Sequence, residues 1–155
     1  MDFGDLLTQF GDKVGLPGLH PEDDSCRIEI DGMRVTFMEH RETNTLVTWA
    51  EVSEPPPEGV TVLYRVLMEA MFMGQATGGS AFSIDPKTGN IYLHRVDSLL
   101  VLDLDSFSLM LERFVNVLEQ WRKMIADYRP VAGEVEKKTA ESEAPMSFGS
   151  DFMQV

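Results

Sequence analysis

Residues 26–52 read CRIEIDGMRVTFMEHRETNTLVTWAEV, and their alternation decides the fold class. Cys26, Ile28 and Ile30 alternate with Arg27, Glu29 and Asp31, which predicts a strand with one dry and one wet face. Asp31-Gly32 is the dipeptide of a tight hairpin turn, because both central positions of such a turn need a positive φ. A return strand then runs through Val35 and Phe37 to about His40. Arg41-Glu42-Thr43-Asn44 turns the chain again, and residues 45–52 supply a third strand. Together they predict an antiparallel meander. It ends at Pro55-Pro56-Pro57, which cannot donate to a ladder and is read as a spacer before the next element.

Working outward, Phe3, Leu6, Leu7, Phe10 and Val14 recur at helical spacing, and Gly15 and Pro17 stop the run. On the other side, residues 59–75 read as a helix with apolar side chains on more than one face, so a second face must be covered by another element or a partner subunit. Residues 80–85 and 90–96 form two further strands around a Pro-Lys-Thr-Gly turn. Phe107, Met110, Leu111, Phe114, Leu118, Trp121, Ile125 and Tyr128 then mark a long last helix, with Asp103 and Asp105 suited to its dipole. The expected architecture is α+β: an antiparallel twisted sheet of about five strands flanked by three helices, in the order α-β-β-β-α-β-β-α. Residues 1–130 form the domain. Residues 131–155, rich in Ala, Glu, Lys and Ser, read as a disordered acidic tail whose closing Met146, Phe148, Phe152 and Met153 allow a short docking segment.

The 155 residues carry 26 acidic and 13 basic side chains, a formal net charge of -13. Such a chain repels phosphate backbones and anionic membrane surfaces, so neither nucleic acid nor a membrane is an expected partner. No apolar run nears the ~20 residues of a membrane span, and the opening decapeptide MDFGDLLTQF does not read as a signal peptide. A cytoplasmic protein is expected. The single cysteine, Cys26, leaves no partner for an intrachain disulfide or a multi-thiolate zinc site.

Motifs of catalysis are missing. His20, His40 and His94 stand far apart, without metal-ligand spacing. Gly74, Gly78 and Gly79 lie between a helix and a strand and lack the Lys-Ser/Thr ending of a phosphate loop. Glu22, Asp23 and Asp24 lack the ligand alternation and central glycine of a calcium loop. No catalytic residue, metal site or cofactor is assigned.

Three stretches in this order resemble the Tir-chaperone-like family of class I type III secretion chaperones. DLLTQFGDKVGLPGL (residues 5–19) is similar to the family's opening helix. LYRVLMEAMFMGQATGGSAFSIDPKTGNIYLHR (residues 63–95) is similar to its central helix, Gly-rich loop and Asp-turn-Gly strand pair. LDLDSFSLMLERFVNVLEQWRKMI (residues 102–125) is similar to its last helix with a late tryptophan. One departure is Met71, where the family commonly has Asn.

The resemblance implies a homodimer that binds the N-terminal segment of a secreted effector in extended form and keeps it export-competent without ATP hydrolysis. On that footing Phe3, Leu7, Phe10, Val35, Phe37 and Trp49 are the expected effector-facing residues, with core packing the rival role for each. Leu63, Val66, Leu67, Ala70 and Met71 are the expected dimer contacts, with the same rival. Two other readings stay open at this point: a regulatory interaction domain of the same fold outside secretion, and a small enzyme or ligand-binding domain assembled around His94, Cys26 and nearby carboxylates.

Overall fold

The computed structural model describes residues 2–130; the expectations for residues 131–155 lie outside them. Three helices, α1 (Phe3–Val14), α2 (Val60–Ala70) and α3 (Leu104–Ala126), accompany strands β1 (Ser25–Ile30), β2 (Met33–His40), β3 (Thr45–Ser53), β4 (Ala81–Ile84) and β5 (Ile91–Ser98). The order is the expected one. Every strand pairing is antiparallel and the sheet order is β1-β2-β3-β5-β4, so β1 and β4 are its edges.

Each predicted turn has a local cause. Asp31 and Gly32 both take positive φ, as a two-residue hairpin with right-handed strand twist demands. Asn44 takes φ 51° at the next turn. Asp85 closes the β4–β5 loop by accepting from the backbone N–H of Lys87 and the hydroxyl of Thr88, both at 2.9 Å. The Asp103 side chain caps α3 in a capping box with Ser106, so that residue does more than complement the dipole.

Register sorts the side chains into two faces. Cys26, Phe37 and Thr48 lie opposite one another along the inner face, as do Ile28 with Val35 and Ala50 with Leu93. These inner residues share one core with Phe3, Leu6, Leu7 and Phe10 of α1, Leu63 and Leu67 of α2, and the apolar stripe of α3 from Phe107 to Ile125. Phe107 sits at its centre, 5.2 Å from the ring of Phe10 and 5.5 Å from that of Phe37. The outer face carries Arg27, Thr36, Trp49 and His94 in one row and Met38, Val47 and Val96 in the next. Among the described residues, the buried stripes of α1, α2 and α3 all join the inner-face core.

The second helix is shorter than its apolar run predicts. It ends at Ala70, and a single 3-10 turn (Phe72–Gly74) follows in which Met73 takes a left-handed φ of 58°. The loop then returns along α3, where Gly78 approaches Val117 and the Trp121 indole reaches the Ala76 carbonyl.

Candidate binding surfaces

The burial pattern corrects most of the expected effector-facing set. Phe3, Leu7, Val35 and Phe37 are wholly buried and Phe10 nearly so, all within the core. Their alternation and helical spacing are those of a packed interior, and sequence alone does not say which of two faces is covered. Trp49 differs. It is half-buried on the outer face, cross-strand from Thr36 and His94, and is the member of that set that reaches a surface.

The expected dimer set divides similarly. Leu63 and Leu67 belong to the core, whereas Val66, Ala70 and Met71 are half-buried, and Met71 offers its thioether sulfur to the backbone N–H of Phe82 at 3.0 Å. The residues that leave the protein surface apolar are their neighbours. Met68 is 67% exposed, and Phe72 and Met73 are each 77% exposed. Met68 and Phe72 line one shallow groove with the aliphatic stems of Arg65 and Glu69. Stability does not explain such a group, because side chains this exposed gain almost nothing from folding. Its sequence signal was the surplus of apolar positions in residues 59–75, which fits no single-sided helix.

A second surface lies along the β1 edge. The loop from α1 to β1 is pinned by an ion pair between Arg41 and Asp24 and by the Glu39 N–H donating to the Asp24 carbonyl at 2.8 Å. Beside it runs a groove of about 430 Å³ between Leu19, His20 and Glu22 on the loop and Cys26 and Arg27 on the strand. An edge strand flanked by a groove can accept a further strand through its free backbone groups, with pockets for alternate side chains. Burial, and then the nearby Glu22 carboxylate, push the Cys26 thiol above its ordinary pKa, so this cysteine is a neutral apolar wall of the groove.

The enzyme reading loses its constellation. Cys26 points to the inner face of β1, while His94 sits on the outer face of β5. Three strand spacings separate β1 from β5, about 14 Å, so they cannot form a nucleophile–base pair. His94 instead shares a 3.2 Å hydrogen bond with the Ser83 hydroxyl. Among the described residues no group of three His, Cys, Asp or Glu side chains converges as a metal site, and no helix is long and apolar enough to cross a membrane.

Comparison with known proteins agrees with this geometry. The model of the Tir chaperone protein (CesT) family matches residues 5–122. Among solved structures, the ExsC–ExsE complex superposes with a TM-score of 0.68 at 24% identity, over 79% of this chain and 96% of the matched one. The HopA1–SchA chaperone–effector complex follows at 0.64 and 15%, covering 77% and 91%. The ExoT–SpcS complex from Pseudomonas aeruginosa gives 0.59 and 18%, covering 77% and 98%. At these identities the superpositions establish the fold. No curated protein matches the chain significantly.

Proposed function

Because the chain belongs to the Tir chaperone protein (CesT) family, we propose that it acts as a homodimer in the cytoplasm, holding the N-terminal region of a type III secretion effector in extended, export-competent form. The work is binding alone. No ATP hydrolysis, cofactor or catalytic residue enters it, and the separation of Cys26 from His94 supports that view.

One observation carries the reading: beyond its closed core the chain leaves the β1 edge open and Met68, Phe72 and Met73 exposed. The edge and its groove suit an extended segment, whose backbone would continue the sheet. The patch suits a second copy, since a symmetric contact places the same apolar group on both sides of the axis. The solved structures that this chain resembles include a chaperone–effector complex, which supports the effector-binding reading.

The test is co-expression with N-terminal fragments of candidate effectors encoded in the same genome, followed by size-exclusion chromatography with light scattering. A dimer of about twice 17.4 kDa that retains an otherwise insoluble fragment is the expected result. A monomer that retains none of them overturns it.

A further inference from the structure

The β2–β3 ladder stops at the pair Thr36–Trp49, although β2 begins at Met33 and β3 continues to Ser53. Beyond that pair the two strands part, and a cleft of about 360 Å³ opens between them. This is at the lower end of ligand-sized clefts, roughly 300–1,000 Å³. Arg27 and Arg34 reach it from the β1–β2 hairpin and Arg122 from α3, with Trp49 as an aromatic wall.

Three guanidinium groups in one cleft need explaining on a chain of net charge -13. Among the other arginines, Arg41, Arg65 and Arg95 each form an ion pair, and Arg129 donates to the Ala126 and Tyr128 carbonyls. Arg27, Arg34 and Arg122 have no carboxylate partner within 4.0 Å among the described residues. All three line the same cleft, where Glu29 and Glu51 are the acidic side chains. Arg27 is held in place, its Nε donating to the Thr36 hydroxyl at 3.4 Å. The Glu51 carboxylate at the rim is engaged by the Tyr92 hydroxyl at 3.2 Å rather than by an arginine.

We propose that this cleft recognises an acidic side chain of an extended partner segment, with Arg34 and Arg122 clamping the carboxylate and Trp49 packing against its apolar neighbour. The proposal rests on the chaperone reading and adds to it a preference in the cargo: an Asp or Glu beside an apolar residue. A guanidinium pairs with a carboxylate in fixed planar geometry, which makes such a contact selective. Glu29, cross-strand from Arg34, and Glu51 temper the positive charge, so a single carboxylate fits the cleft better than a phosphate group or a polyanion.

The experiment follows the Nε–Hε signals of the arginines by NMR while the full chain is titrated with three probes. These are the acetylated, amidated pentapeptide Val-Glu-Thr-Glu-Val, its counterpart with both Glu replaced by Gln, and inorganic phosphate. The expected result is that the Glu peptide shifts Arg27, Arg34 and Arg122 and the Gln peptide does not. The double variant Arg34→Gln/Arg122→Gln, with an otherwise unchanged amide spectrum, then binds at least tenfold more weakly, while Arg113→Gln binds as the wild type does. Equal response to both peptides, no response to either, or a stronger response to phosphate overturns the proposal. Capture of effector fragments is measured separately. Capture with a silent cleft sinks this inference alone, and a responsive cleft without capture sinks the chaperone reading alone.

Discussion

The indole N–H of Trp121 donates to the carbonyl oxygen of Ala76 at 2.9 Å, fastening the loop after α2 to the C-terminal part of α3. The same ring packs edge-on against Phe82 of β4 at 5.1 Å between centroids. One side chain therefore ties together a helix, a loop and an edge strand that are separated by some forty residues of sequence.

Replacing Trp121 with Phe keeps most of the apolar volume but leaves the Ala76 carbonyl without its donor. A loss of about 1–3 kcal/mol is expected from the unmet hydrogen bond and the smaller ring. Urea denaturation should show the midpoint fall with little change in slope. An unchanged midpoint would mean that the loop is held by other contacts.

Gly11 offers a test in which two effects oppose each other. In a helix interior Gly→Ala ordinarily gains about 1 kcal/mol from propensity. Here an added Cβ would stand 2.5 Å from the Leu16 carbonyl oxygen and 2.8 Å from the Leu19 Cβ. The first neighbour is backbone and cannot swing aside, so overpacking of about 1–3 kcal/mol should win. Gly11→Ala is expected to lower the melting temperature, and a rise would show that the α1 C-terminus yields.

The meander and the last helix were legible because local chemistry and tertiary role coincide there. Asp31-Gly32 can do little but turn, and the three-four spacing from Phe107 to Ile125 matches its buried stripe. The faces of the sheet were not legible. Val35 and Phe37 alternate with Arg34 and Thr36 whichever side the helices take, and only α1 and α3 arriving on one side make Phe37 core and leave Trp49 outside. The end of α2 was also overrun: apolar periodicity continues through Met73, but that residue's left-handed backbone breaks the helix and turns Phe72 and Met73 outward. The Arg27–Arg34–Arg122 cleft escaped the sequence reading because Arg122 comes from a helix some ninety residues away from the hairpin it joins.

Two ionisable groups give opposite pH signatures. The Asp103 carboxyl is held below the ordinary value of about 3.9 by hydrogen bonds from the Ser106 side chain and backbone. A depressed folded-state pKa contributes stability that is present above the unfolded pKa and is lost as pH falls through the folded one. The stability advantage of the wild type over Asp103→Ala should therefore persist at neutral pH and shrink on acidification below about pH 4. Cys26 is shifted the other way, upward. Its thiolate is scarce at pH 8, and the native protein should react with a disulfide reagent far more slowly than the same protein in urea.

The contrast between Phe37 and Phe72 separates folding from assembly. Phe37 is wholly buried against Phe107, so Phe37→Ala should cost about 3–5 kcal/mol. Any loss of partner binding in that variant would follow from unfolding. Phe72 and Met73 lie outside the core, and their substitution removes little that folding has buried. Phe72→Glu/Met73→Glu should melt within a few degrees of the wild type yet place four like charges across a symmetric contact, two from each copy. Light scattering is expected to report a monomer for that variant at concentrations where the wild type is dimeric. A dimer of undiminished stability would remove the α2 patch from the interface and move the search for it to Val96 and the outer face of β5.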